Sequence, residues 1–207
     1  GQTVIVTGGA GAIGRAVCEG FAEAGAKVAV VDLDQTACDA VAAPLPGAVG
    51  CGTNLRDFAA LPALIFQIER AMGLATHLVN VAGIILRTPD LFSVTEKDWD
   101  AQHDVNLKAL FFLSQAFAAR LKAEGREGSV VNYSSQGWQS GGFGGSVVYN
   151  ATKGAVTTMT RGMARSWAPL GIRVNALAPG LVDTPMLKTP GQTPEQFQAM
   201  LDSIPMK

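Results

Sequence analysis

A β-branched run that stops in a glycine cluster and restarts as a helix is the feature that most constrains this chain. Thr3-Val4-Ile5-Val6-Thr7 reads as a buried parallel strand, because a strand covered on both faces shows no polar alternation. Gly8-Gly9-Ala10-Gly11-Ala12-Ile13-Gly14 follows at once, and a helical pattern runs on through Val17, Phe21 and Ala24 to Gly25. A second strand, Lys27-Val28-Ala29-Val30-Val31, ends at Asp32. Strand, glycine turn, helix, strand is a βαβ unit. The missing side chains let backbone N–H groups approach a pyrophosphate, whose charge the helix N-terminus favours. An acid placed like Asp32 accepts hydrogen bonds from an adenosine ribose; its plain alternative is an N-cap for the next helix.

The alternation continues. Further strands are predicted over 48–53, 77–81, 129–133 and 172–178, and helices over 35–43, 57–72, 97–123, 147–168 and 194–202. Ser93-Val94-Thr95-Glu96 reads as a capping box, and Thr193-Pro194-Glu195-Gln196 puts Pro at a first helical position. Such alternation means a parallel sheet wound on both faces. Across 207 residues, 48% are hydrophobic and 16% charged, which suits one domain, 1–207, with a large core. The net charge of −1, without a basic patch, argues against nucleic acid. No apolar stretch reaches the roughly 18 residues of a membrane span. No signal peptide is visible, and Cys18, Cys38 and Cys51 are widely spaced without a C-x-x-C, so a cytoplasmic, reducing setting is expected. His77 and His103 lack ligand-spaced partners, and no metal site is expected.

Tyr149-Asn150-Ala151-Thr152-Lys153 opens a helix-length segment some residues after Ser134-Ser135. Positions i and i+4 share a helix face. A phenol titrates near pH 10, and a neighbouring ammonium lowers that value. A serine hydroxyl polarises the same substrate oxygen. The set suits hydride chemistry at an alcohol or carbonyl carbon. The Gly-rich stretch 137–145 between Ser135 and Tyr149 reads as a loop that walls the site. Gln136 before it and Trp138, Gln139 and Phe143 within it are polar-aromatic, and Ser135, Gln136, Trp138 and Tyr149 are expected to meet substrate.

With these residues in view, the chain resembles the short-chain dehydrogenase/reductase family in its classical branch. The resemblance runs from Thr3 to about Lys207. Thr7-Gly8-x-x-x-Ala12-x-Gly14 matches the cofactor turn, with Ala12 where Gly is usual. Asn80-Val81-Ala82-Gly83 matches the N-N-A-G segment, with Val81 for the second Asn. Asn106, in Asp104-Val105-Asn106-Leu107, matches the catalytic Asn, and Ser135, Tyr149 and Lys153 match the other catalytic residues. Pro179-Gly180-Leu181-Val182-x-Thr184 matches the segment that meets the nicotinamide. The glycine turn also matches the extended branch, which includes nucleotide-sugar epimerases. The N-V-A-G segment and the short Ser-to-Tyr gap favour the classical one.

The resemblance implies strand order 3-2-1-4-5-6 and a small-molecule alcohol or carbonyl substrate: a polyol, a sugar or a hydroxyacyl compound. It implies Tyr149 as general acid/base and Lys153 lowering the Tyr149 pKa while holding the nicotinamide ribose. Ser135 orients the substrate oxygen, and Asn106 holds a water. The cofactor is expected on Gly8, Ala12, Ile13 and Gly14 at the turn, Asp32 and Leu33 at the ribose, and Asn54 and Leu55 at the adenine. Asn80, Ala82, Gly83, Tyr149, Lys153, Pro179, Gly180, Val182 and Thr184 complete its site. Neither Leu33 nor Gly11 supplies a cation, so NAD is expected over NADP. A homodimer or homotetramer through helices 97–123 and 147–168 is implied, the first carrying apolar residues over much of its circumference. The alternatives are a nucleotide-sugar epimerase or dehydratase and a non-catalytic dinucleotide-binding protein. Departures are Asn54 where Asp is common, a Ser135-to-Tyr149 gap about one residue longer than usual, and the absence of the family's seventh strand after strand six.

Overall fold

The computed structural model describes residues 1–142, 144–187, 193–202 and 204. Six parallel strands form one sheet: β1 (Thr3–Thr7), β2 (Lys27–Asp32), β3 (Val49–Gly52), β4 (Ala75–Asn80), β5 (Gly128–Tyr133) and β6 (Ile172–Leu177). Their order is β3-β2-β1-β4-β5-β6, as expected. The chain therefore reverses direction across the sheet between β1 and β4, and a crevice opens there at the strands' C-terminal ends.

Period two decides which core each strand residue joins. Ile5, Ala29, Val31, Leu78 and Val130 point to one face, beneath helices α3 (Leu61–Met72), α5 (Leu110–Ala123) and α7 (Val147–Trp167). Val4, Val6, Val28, Val30 and Val79 point to the other, beneath α1 (Ala12–Glu23) and α2 (Gln35–Ala42). The three cysteines are free and buried, and burial pushes the thiols up, Cys18 to about 12 and Cys51 to about 11. They act as small apolar core residues. Remaining helices are α4 (Glu96–His103), α6 (Gly137–Ser140) and α8 (Pro194–Asp202).

Several expectations are corrected. The single helix 97–123 is three pieces: α4, a π-helical segment Asp104–Ala109, and α5. The cap of α4 is Thr95, whose hydroxyl accepts from the Asp98 N–H at 3.1 Å, rather than Ser93. Ser93 instead donates to the Asp90 carbonyl within a 3-10 turn, Leu91–Ser93. The helix expected from 57 begins at Leu61, with Pro62 in its first turn. The stretch 137–145 contains the short helix α6; its Phe143 lies outside the described residues. Of the apolar residues on the long helix, Leu110, Leu113, Phe117 and Leu121 are buried in the core, and Phe112 is exposed. The Thr193 cap holds: its hydroxyl accepts from the Gln196 N–H while the Gln196 side chain accepts from the Thr193 N–H.

Candidate active site

The glycine turn closes on itself. Gly8 has φ +67°, a conformation that favours glycine, and a Cβ there would lie 2.7 Å from the Ala82 nitrogen. A Cβ on Gly14 would lie 1.9 Å from the Gly8 carbonyl oxygen. The turn after β1 and the segment after β4 therefore meet backbone to backbone. Thr7 ties them further: its carbonyl accepts from the Val81 N–H and its hydroxyl from the Ala82 N–H. No side chain caps α1, and no acid stands in its first turn. Its leading N–H groups sit at the crevice, which fits an anionic group such as a pyrophosphate.

Asp32 ends β2 and reaches this turn. One carboxylate oxygen accepts from the Ala10 N–H at 3.1 Å, the other from the Leu33 N–H at 2.8 Å. The cap of α2 is Asp34, not Asp32, so the plain alternative for Asp32 is excluded. Leu33 is exposed beside it. Farther along the rim, Asn54 is exposed and its side chain closes a local turn by accepting from the Arg56 N–H; Leu55 packs into the core. Asn80 lies deeper, fully buried, and donates to Ser114 and Asn132.

The structure brings Ser135, Tyr149, Lys153 and Asn106 together. Of the two adjacent serines, Ser134 is a structural tie from the end of β5 to α7, donating to the Lys153 carbonyl at 2.9 Å. Ser135 instead hydrogen-bonds the Tyr149 side chain. Lys153 is 3% exposed, and its ammonium donates to the Tyr133 carbonyl at 2.7 Å. Burial pulls its pKa down to about 8. Burial pushes the Tyr149 phenol above its ordinary value, opposed by the Ser135 hydrogen bond and by the charge of Arg87. The expected direction for Tyr149 is thus reversed, because desolvation outweighs nearby positive charge.

Asn106 lies within the π segment and turns its side chain to the exit of strand β4. Its side chain accepts from the Ile84 N–H at 2.8 Å and donates to the Ile84 carbonyl at 2.9 Å, satisfying both backbone groups of one residue. It also donates to Thr152, whose hydroxyl donates to the Tyr149 carbonyl. Gly83 sits in the gap: a Cβ there would be 3.3 Å from Asn106 Oδ1 and 3.4 Å from Lys153 Nζ.

Other expected residues line the rim. The Gln136 N–H donates to the Pro179 carbonyl, and a Cβ on Gly180 would lie 2.9 Å from Gln136 Oε1. Val182 is exposed and Thr184 half-buried in the coil beyond β6. Trp138 lies beside Gly154 of α7. Two neighbours escaped the sequence reading. Gln102, buried, accepts from the Leu86 N–H, and Arg87 carries the charge felt by Tyr149. Their only signal was closeness in the chain to the Asn80–Gly83 and Asn106 motifs. Among the described residues, no cluster of His, Cys, Asp or Glu is arranged to hold a metal ion.

A family model described as short chain dehydrogenase matches residues 2–195. The chain is 37% identical over 206 residues to an L-xylulose reductase of Bos taurus, covering 100% of this chain and 82% of that protein. It is 35% identical to a galactitol 2-dehydrogenase (L-tagatose-forming) of Cereibacter sphaeroides, covering 100% and 81%. A 3-ketoacyl-(acyl-carrier-protein) reductase from Brucella melitensis, solved in complex with NADH, superposes with a TM-score of 0.89 at 30% identity, covering 100% of this chain and 84% of that one. The fold, the ordered motifs and these matches agree: the chain belongs to the classical short-chain dehydrogenase/reductase family, dehydrogenases and reductases acting on CH–OH groups.

Proposed function

We propose that this protein is an NAD-dependent dehydrogenase of polyols, sugars or related secondary alcohols, with Tyr149 as its general acid/base. The observation that carries the reading is the buried Lys153 ammonium, 5.6 Å from the centre of the Tyr149 ring and one helical turn along, with the Ser135 side chain favouring the ionised phenol. When bound, a nicotinamide dinucleotide supplies the hydride acceptor or donor. The first-turn amides of Ala12, Ile13 and Gly14 would hold its pyrophosphate, Asp32 its adenosine ribose and Lys153 its nicotinamide ribose. In the reduction direction the neutral Tyr149 phenol, the form that burial favours, gives its proton to the carbonyl oxygen. In oxidation Tyr149 acts as phenolate, the form that Ser135 and the charge of Arg87 favour, and takes the hydroxyl proton while hydride leaves the carbinol carbon. Ser135 orients the reacting oxygen and stabilises charge that develops there. The intact Ser135–Tyr149–Lys153 set supports turnover over passive dinucleotide binding.

NAD is favoured over NADP because a 2′-phosphate would face the Asp32 carboxylate, with Leu33 beside it. The repulsion is worth about 1 to 3 kcal/mol. The polyol reading draws support from the L-xylulose reductase and galactitol 2-dehydrogenase relatives. Free thiols at Cys18, Cys38 and Cys51 support a cytoplasmic place of work. A twofold dimer through α4, α5 and α7 is supported by Trp99, Phe112 and Val147, which are exposed on those helices. The test is a turnover screen of alditols, sugars, secondary alcohols and β-hydroxyacyl compounds with NAD and with NADP. Release of NADH with at least one class supports the reading. Equal or better kcat/KM with NADP overturns the cofactor preference, and dinucleotide binding without any turnover supports the non-catalytic alternative.

A further inference from the structure

Gln35, the first residue of α2, reaches across to the outer edge of the sheet. β3 stands first in the strand order, and among the described residues no strand pairs with its outer side. The Thr53 N–H donates inward to the Asp32 carbonyl at 2.6 Å, so by period two Gly50 and Gly52 turn their backbone groups outward. There the Gln35 carboxamide meets both. Its Nε2 donates to the Gly50 carbonyl at 3.1 Å, and its Oε1 accepts from the Gly52 N–H at 2.6 Å. A residue of a parallel neighbour would bracket Cys51 through the same two groups. Asp39, one turn along α2, accepts from Nε2 at 2.8 Å and holds the amide in that orientation. Two glycines make the approach possible. A Cβ on Gly52 would lie 2.8 Å from the Gln35 backbone, and one on Gly50 would run into the Asp39 carboxylate.

Gly52 is the register partner of Asp32, whose carboxylate would hold the adenosine ribose. Thr53, Asn54 and Leu55 follow Gly52 directly, and the last two are the residues expected at the adenine. A strand of 4 residues has few bonds of its own to fix where that turn begins. We propose that Gln35 is a positioning residue for the adenosine half of the cofactor site. Its side chain stands in for a neighbouring strand on the edge of β3, and so sets the 53–55 turn against Asp32 before a dinucleotide arrives. A site set in advance loses less freedom on binding. Gln35 acts through Gly52 and not on the ligand itself. Ser135, Tyr149 and Lys153 stand on the far side of the sheet order, on the end of β5 and on α7, and do not depend on it. The proposal rests on the cofactor placement above and deepens it.

The experiment uses Gln35→Met, which keeps the length of the side chain and removes all three hydrogen bonds. Calorimetric titration with ADP-ribose reads the adenosine half without the nicotinamide, and kcat at saturating NAD, with the best alcohol of the screen above, reads the chemistry. The bonds are exposed, so the combined loss is modest. ADP-ribose affinity is expected to fall about three- to tenfold and the KM for NAD to rise by a similar factor, with kcat kept within about twofold. A merely structural tie would lower the melting temperature and leave the folded protein's affinity for ADP-ribose unchanged, and that result overturns the proposal. A fall in kcat with ADP-ribose affinity kept overturns it too. Amide hydrogen exchange of the wild type is a second test that needs no variant. The Gly52 N–H is expected to exchange slowly, and more slowly again with ADP-ribose bound. A Gly52 amide that exchanges as freely as an open strand edge, or that is indifferent to bound ADP-ribose, overturns the proposal. Wild type that binds neither ADP-ribose nor NADH overturns the cofactor placement itself, whereas binding that Gln35→Met leaves untouched overturns this proposal alone.

Discussion

Tyr149 and Lys153 occupy adjacent turns of one helix, yet burial moves their proton affinities in opposite directions. Tyr149→Phe keeps the ring and removes the titrating hydroxyl. Turnover is expected to fall at least about a hundredfold, with NADH affinity, read by fluorescence titration, largely kept. Near-normal oxidation by that variant would remove Tyr149 from the mechanism. Lys153 carries a stability cost that its proposed role would explain. Its ammonium is buried against one carbonyl, so the folded state binds that proton less tightly than the unfolded chain. The unfolded state therefore holds more protons between about pH 8 and the ordinary lysine value of 10.5, and the Lys153 contribution makes stability rise with pH across that window. Above pH 10 the raised tyrosines, Tyr149 and Tyr133, oppose it. Lys153→Met is expected to abolish turnover while raising the melting temperature of the cofactor-free protein at pH 7 by a few degrees, roughly 1 kcal/mol. It is also expected to lose the rise above pH 8. A melting temperature lowered by that substitution would refute the account.

At the scale of elements, the π segment Asp104–Ala109 is the joint of the site. Asn106 there is the sole side-chain partner shown for both backbone groups of Ile84. Asn106→Ala would strip a half-buried N–H and C=O of their partners at once, a loss of about 2 to 4 kcal/mol at order of magnitude. Chemical denaturation is expected to show it, together with reduced turnover from displacement of the Asn80–Gly83 segment. Full stability in that variant would show that the segment holds itself. The break in this helix was not legible in the sequence, since helical periodicity runs through 97–123 without a Pro or Gly. The break coincides with a side chain, Asn106, that satisfies a residue from outside the helix. Ser93 misled for a similar reason: its hydroxyl is taken by Asp90, which leaves the cap to Thr95. The strands were legible because β-branched runs such as Val4-Ile5-Val6 admit little else, and Ser135, Tyr149 and Lys153 because their spacing matches a family. The Tyr149 shift depends on burial, which has no local signature.

For the whole molecule, most of the apolar surface of α5 is consumed by the core, so an interface on it must be built from fewer residues than the sequence promised. A dimer through α4, α5 and α7 still predicts that Phe112→Lys yields monomers in light scattering at micromolar concentration with the fold retained by circular dichroism. An unchanged mass would place the interface elsewhere. The backbone junctions of Gly8 with Ala82, and of Gly83 with Lys153 and Asn106, have a consequence for how activity returns after denaturation. The turn proposed to hold the cofactor comes from the half of the chain carrying β1 to β3, and the proposed catalytic residues from the half carrying β4 to β6. Neither half owns a site. Non-local parallel pairing is slow, so enzymatic recovery on refolding should lag the regain of helix measured by circular dichroism. Catalytic activity then serves as a clock for the docking of two half-molecules, and no partly folded species should oxidise anything.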